Sequence, residues 1–138
     1  MVIATMSGST IPNKIMIVDD EPDIAYVFKR GLESSGLAVD AFNDPEEALK
    51  AFQPGKYALL ITDVRMSNMA GFELYREIRK IDYRTKVVFM TAFEIYHDEF
   101  VKMFPDIDVR CFMTKPASID QLVKLVTEEL PRAYDTEA

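Results

Sequence analysis

The residues of this 138-residue sequence that could do chemistry stand at four separate points of the chain. They are Asp19, Asp20 and Glu21, then Asp63, then Thr91, and finally Lys115. Adjacent carboxylates repel one another, so an acidic cluster favours a compensating cation. Oxygen ligands suit Mg²⁺, which typically takes one or two carboxylates together with waters and phosphate oxygens. The residue types therefore indicate a magnesium site with room for a phosphate group.

Asp63 is the candidate nucleophile of this group. A carboxylate can accept a phosphoryl group as an aspartyl phosphate if the charge on the transferring group is neutralised. Mg²⁺ could neutralise it on one side and the Lys115 amine on the other, while the Thr91 hydroxyl could donate to a phosphate oxygen. The pattern favours acyl-phosphate chemistry over a histidine triad, because His97 is the only histidine.

Five short apolar runs alternate with five segments of helical periodicity, and these elements must position the candidate residues. The runs cover 14–18, 38–42, 58–62, 86–90 and 109–113, and the fourth helical segment covers about 94–104. This alternation predicts a flavodoxin-like α/β fold, a doubly wound five-stranded parallel sheet with five helices. Strand order 2-1-3-4-5 puts the apolar first and third runs at the centre. Ligands of such sheets lie at the carboxyl ends of the strands, where all the candidate residues are expected.

Composition and charge argue against several function classes. With 49% apolar and 28% charged residues the chain can bury a core, so wholesale disorder is excluded. A net charge of −7 disfavours direct binding of nucleic acid, and no apolar run has the roughly 18 residues of a membrane span. The single Cys111 fits a reducing, cytoplasmic setting. We expect a flexible lead-in over 1–13, one domain over 14–130 and a polar tail over 131–138.

Four motifs at successive predicted strand ends resemble the receiver domain of two-component response regulators. They are VDDEP at 18–22, ITDVRM at 61–66 with GFEL at 71–74, MTA at 90–92 and KP at 115–116. The resemblance covers about 14–130, with the motifs in the family's order. It implies a chemotaxis-type single-domain receiver that accepts a phosphoryl group from a histidine kinase or histidine phosphotransfer protein. Such a protein is a signalling switch rather than a metabolic enzyme.

The resemblance also implies a role for each matching residue at the site. Asp63 would be the phosphoacceptor, and Thr91 and Lys115 would stabilise the phosphoryl group. The implied ligands of Mg²⁺, or of Mn²⁺ in its place, are Asp20, Asp63 and the backbone carbonyl of Arg65, with Asp19 contributing through water.

Further implied roles concern switching and the lifetime of the phosphoryl group. Thr91 and Phe112 would move together, and the peptide before Pro116 would be cis. The fourth helix, fifth strand and fifth helix would then bind a downstream protein. Arg65 and Phe93 occupy the positions that tune dephosphorylation. Because Phe93 offers no polar group to orient an attacking water, we expect a long-lived phosphoryl group.

Three alternatives stay open. An aspartyl-nucleophile phosphatase also places Asp, Thr and Lys at strand ends, although its motif has a second Asp where this chain has Arg65. A flavodoxin-like cofactor binder would need a phosphate loop after the first strand, where this chain has an acidic trio. The chain could also be a receiver fragment of a longer DNA-binding or enzymatic regulator.

Overall fold

The computed structural model describes residues 13–64, 71–91, 102, 105, 112–114 and 118–130. Several predictions concern residues outside this set. They are those on Arg65, Phe93, Lys115 and Pro116, on the lead-in up to residue 12, on the tail from 131, and on the helix at 94–104 apart from residue 102.

Strands and helices alternate along the chain as the sequence pattern predicts. The strands are β1 (Lys14–Val18), β2 (Ala38–Phe42), β3 (Tyr57–Asp63), β4 (Lys86–Thr91) and β5 (Phe112–Thr114). The helices of the described residues are α1 (Pro22–Ser34), α2 (Pro45–Ala51), α3 (Gly71–Ile81) and α4 (Ile119–Glu129). All paired strands are parallel, in the order β2-β1-β3-β4-β5. The flavodoxin-like parallel fold is confirmed, but the described residues contain four helices rather than five.

Three of the helices begin at residues whose types favour the start of a helix. Helix α1 has Pro22 in its first turn, where the missing N–H costs no hydrogen bond. The Asp44 side chain caps α2 by accepting from the backbone N–H of Glu46 at 2.9 Å. Ser118 and Gln121 form a reciprocal capping box at the start of α4. These three helices each begin shortly after the strand that precedes them.

The sheet separates two apolar layers and is buried on both faces. Alternate residues of β1 point to opposite layers: Met16 and Val18 pack with α2 and α3, and Ile15 and Ile17 pack with α1 and α4. Strand β3 is buried along its whole length because helices cover both of its sides. The ends of the central strands are consequently fixed by the core. Among the described residues, no helix combines the length and apolarity needed to cross a bilayer.

A polar contact ties the edge strand β2 to the central strands. The Tyr57 hydroxyl donates to Oδ2 of Asp40 at 2.6 Å, and Nζ of Lys14 lies 3.1 Å from the same oxygen. Partial burial by itself would raise the pKa of Asp40, but the hydrogen bond from Tyr57 and the Lys14 ammonium outweigh it and lower that pKa. Burial and the bond to this carboxylate raise the pKa of Tyr57.

Replacing Tyr57 with Phe should lower the stability of the fold more at neutral pH than at acidic pH. A carboxyl whose pKa is lowered by folding contributes stability that is present above its unfolded pKa and is lost as the pH falls through its folded pKa. We expect Tyr57→Phe to lower the free energy of unfolding by about 1 kcal/mol at pH 7, the typical net value of one hydrogen bond. This deficit should shrink as the pH falls through the lowered pKa of Asp40, because the carboxyl then becomes protonated.

Urea unfolding of wild type and Tyr57→Phe at several pH values tests the predicted loss of stability. A ¹³C NMR titration of the Asp40 carboxyl measures its pKa in each protein. The pKa of Asp40 should rise in the variant because its hydroxyl donor is gone. Tyr83→Phe is the matched control, since Tyr83 is 70% exposed, and it should change neither quantity. An Asp40 pKa that is the same in wild type and Tyr57→Phe would contradict the prediction.

Candidate functional site

Three of the predicted acids meet at the carboxyl ends of the two central strands. Val18 of β1 pairs with Thr62 of β3, so the residues that follow, Asp19 and Asp63, leave the sheet at the same edge. Asp20 comes next in the chain and joins them. One carboxylate oxygen from each of Asp19, Asp20 and Asp63 lies within 4.8 Å of the others. The parallel topology thus brings two stretches that are far apart in sequence together into one acidic cluster.

Asp19 is held by hydrogen bonds at both its side chain and its backbone. Its side chain is buried and its Oδ1 accepts from the backbone N–H of Glu21 at 2.9 Å. Its own backbone N–H donates to the carbonyl of Phe42 at 3.1 Å, which anchors it to the end of β2. Asp20 is half-buried, whereas Glu21 is exposed at the start of α1. The backbone carbonyl of Glu21 accepts the first hydrogen bonds of α1, and its side chain is not in the cluster.

Asp63 is the last residue of β3 and is only 9% exposed. Its carbonyl accepts from the Thr62 hydroxyl at 3.1 Å. The next residue, Val64, donates its N–H to the carbonyl of Met90 at 2.9 Å and accepts from the N–H of Gly71 at 2.9 Å. Thr62 lies at the end of the predicted apolar run 58–62, and its place in the sequence predicts no role at the site. The one signal that could have revealed it is a hydroxyl inside an otherwise apolar run.

The donor set of this cluster fits a hard divalent cation. Three carboxylates this close repel one another, and two of them are largely withdrawn from water. A buried carboxylate is costly unless opposite charge or hydrogen bonds compensate it. Oxygen donors of this kind suit Mg²⁺ or Mn²⁺ better than they suit metals that prefer sulfur or imidazole. Asp19, Asp20 and Asp63 could therefore hold such an ion.

Other predicted site residues are placed through their backbones. Met90 pairs with Asp63, so Thr91, the last residue of β4, reaches the edge that carries the acids. Phe112 begins β5 and pairs with Phe89, and Thr114 pairs with Thr91. The fifth strand predicted at 109–113 overlaps β5 at Phe112 and Met113, and its first three positions lie outside the described residues.

A comparison with protein families decides which family this chain belongs to. Residues 15–127 match the family model of the response regulator receiver domain. The chain belongs to this family. The membership confirms the resemblance found in the sequence and identifies the chain as a receiver domain of two-component signal transduction.

Curated relatives of this receiver domain include transcriptional regulatory proteins. It is 34% identical over 116 residues to the uncharacterized transcriptional regulatory protein YkoG of Bacillus subtilis, and the matched region covers 84% of this chain and 50% of YkoG. It is 29% identical over 126 residues to the transcriptional regulatory protein TrcR of Mycobacterium tuberculosis, covering 91% of this chain and 48% of TrcR. The chain thus spans about half the length of these relatives. The prediction that nucleic acid is not a partner gains no support from them.

Solved structures give the same family and fold. The response regulator TrrA of Thermotoga maritima, in complex with Mg²⁺ and BeF, is 32% identical, with a TM-score of 0.70 over 84% of this chain and 97% of TrrA. A CheY-like receiver domain protein of Methanospirillum hungatei has a TM-score of 0.77 over 92% of this chain and 99% of its own. At 23% identity, the second likeness is one of fold.

Proposed function

We propose that this receiver domain accepts a phosphoryl group on Asp63 in a magnesium-dependent reaction. The donor would be a histidine kinase or a histidine phosphotransfer protein, and the modified domain would act as a signalling switch rather than a metabolic enzyme. The observation that carries the proposal is the meeting of Asp19, Asp20 and Asp63 at one sheet edge in a chain of this family. The similarity to TrrA, solved with Mg²⁺ and BeF, supports the choice of metal.

The reaction needs a carboxylate oxygen that can approach phosphorus. In the proposed step an oxygen of Asp63 forms a bond to phosphorus while the bond from phosphorus to the donor breaks. When bound, Mg²⁺ supplies positive charge that offsets the charge on the transferring group. Asp19 is held in place by the Glu21 N–H, so its carboxylate needs little rearrangement. The core around β3 fixes the backbone of Asp63 in the same way.

The remaining site residues belong to the same proposal. The Arg65 carbonyl would be a further metal ligand, and Thr91 and Lys115 would contact the phosphoryl group. Thr91 and Phe112 would switch together, and the peptide before Pro116 would be cis. Because Phe93 offers no polar group to orient an attacking water, the phosphoryl group would be long-lived.

The wider setting of the domain is also proposed. The domain would cover 14–130, act in the cytoplasm and bind a downstream protein through the 94–104 segment, β5 and α4. The length of the transcriptional regulators among its relatives favours a second candidate, in which this domain controls a DNA-binding part of a longer chain.

Incubation with acetyl phosphate tests the proposed reaction. In Mg²⁺ the protein should gain the mass of one phosphoryl group, and a chelator should prevent the gain because the charge of the transferring group is no longer offset. Mn²⁺ should restore it. Intact-mass spectrometry measures the outcome. Turnover of simple phosphate esters without stable mass gain would instead indicate a phosphatase.

A further inference from the structure

The first residue of α3, Gly71, lies directly against the backbone of Asp63. A Cβ atom built on Gly71 would stand 2.2 Å from the carbonyl oxygen of Asp63 and 3.1 Å from its carbonyl carbon. It would also stand 3.2 Å from Cα of Val64. Because Cβ atoms do not approach other atoms within 3.0 Å, any side chain at position 71 must displace backbone. Only glycine permits the observed approach.

Hydrogen bonds hold this contact together from both sides. The Gly71 N–H donates to the Val64 carbonyl at 2.9 Å, and the Val64 N–H donates to the Met90 carbonyl at 2.9 Å. The start of α3 is thereby linked through Val64 to the end of β4. A displacement of Gly71 cannot be absorbed by a side-chain rotation, since every bond in this series is made by backbone.

The Thr62 hydroxyl supports Asp63 from within the strand. Thr62 is fully buried, and its Oγ1 donates to the Asp63 carbonyl at 3.1 Å. This is the same carbonyl oxygen that a side chain at position 71 would meet. The close approach of Gly71 and the hydrogen bond from Thr62 therefore both fix the backbone carbonyl of Asp63, the candidate phosphoacceptor.

We propose that Gly71 and Thr62 are positioning residues for Asp63, which set the place of its carboxylate within the acidic cluster. The inference rests on the proposed function, because it concerns binding of a metal by that cluster. Mg²⁺ and Mn²⁺ bind oxygen ligands within narrow distance limits, so a shift of about 0.5 Å in one ligand weakens binding. The close packing at Gly71 and the hydroxyl of Thr62 prevent such a shift.

Among the described residues, Gly31 is a second closely packed helical glycine and provides a matched control. A Cβ on Gly31 would stand 2.5 Å from Cγ2 of Ile119, the end of a side chain that links α1 to α4. Gly31→Ala is therefore expected to strain the packing of two helices without touching the cluster. A merely structural role for Gly71 predicts that both alanine variants lose stability and neither changes metal binding.

Mn²⁺ affinity measured by electron paramagnetic resonance distinguishes the two roles. Gly71→Ala should weaken Mn²⁺ binding about tenfold or more, the usual effect of disturbing a residue that orients a metal ligand. Thr62→Val should weaken it roughly threefold, as expected for one lost hydrogen bond, and Thr62→Ser should restore it. Gly31→Ala should bind Mn²⁺ like the wild type. Urea unfolding of each variant gives its stability separately.

The outcomes separate this inference from the proposed function. If the wild type binds Mn²⁺ and both Gly71→Ala and Thr62→Val bind it equally well, the inference is wrong and the proposed site stands. If the wild type itself does not bind Mn²⁺, the proposed metal site is wrong and the inference falls with it. If Gly71→Ala fails to fold, the Mn²⁺ affinities of Thr62→Val and Thr62→Ser test the inference instead. An unchanged affinity in Thr62→Val would then overturn it.

Discussion

Replacing Asp63 with Asn should abolish phosphoryl uptake from acetyl phosphate and leave the fold in place. The amide has nearly the shape of the carboxylate, but it lacks the anionic oxygen that forms the bond to phosphorus. It also removes one of the three carboxylates of the cluster. We therefore expect no gain in mass in the presence of Mg²⁺, and a smaller Mg²⁺-induced rise in Tm than in the wild type.

The control for this variant is a nearby acid outside the cluster. Asp23→Asn changes an exposed carboxylate in the first turn of α1, and it should take up phosphoryl as the wild type does. Asp20→Asn removes a half-buried member of the cluster without removing the nucleophile, and it should slow uptake and raise the Mg²⁺ concentration needed. Uptake by Asp63→Asn at the wild-type rate would show that another residue is the acceptor.

The parallel sheet was predictable because burial leaves a clear mark on the sequence. Strand β3 is covered on both faces, so its residues form a continuous apolar run, and the predicted 58–62 falls within the observed Tyr57–Asp63. The end of the chain was harder to place. The apolar residues of 109–113 do not reveal the register with β4, in which Phe112 pairs with Phe89, nor that the strand reaches Thr114. Register is set by neighbouring strands, which the sequence of a single strand does not specify.

The acidic cluster was predictable for a related reason. Apolar runs end where β1 and β3 leave the core, and parallel topology brings the acids after those ends together. The support of Asp63 was not predictable to the same extent. A buried hydroxyl and a close approach of two backbones depend on tertiary contacts, so Thr62 and Gly71 reveal their roles only in the structure.

Asp82 is a second residue whose role the sequence conceals. It stands in a short polar turn between α3 and β4, as exposed loop acids often do, yet its side chain is only 2% exposed. Its Oδ2 accepts from the N–H of Gly55 at 2.8 Å, and its Oδ1 accepts from the N–H and Nε of Arg84 at 3.1 and 3.2 Å. It thus links the turns that precede β3 and β4. These turns lie at the amino ends of the strands, and the acidic cluster lies at the carboxyl ends.

Replacing Asp82 with Ala should cause a large loss of stability. Three donors would lose their acceptor at once, and removing one partner of a buried ion pair typically costs 3–5 kcal/mol. Because Arg84 is about one-third exposed and can be hydrated again, we expect a loss at the lower end, about 3 kcal/mol. Urea unfolding at neutral pH measures it.

Two comparisons make the Asp82 prediction specific. Asp120→Ala removes the same atoms from an exposed position in the first turn of α4, where a favourable interaction with the helix dipole is worth about 0.5 kcal/mol. Mn²⁺ affinity of folded Asp82→Ala should equal that of the wild type, because the residue lies at the other end of β3 and β4. A loss of stability no larger than that of Asp120→Ala would mean that the buried hydrogen bonds of Asp82 contribute no net stability. A drop in Mn²⁺ affinity would mean that the amino and carboxyl ends of these two strands are coupled.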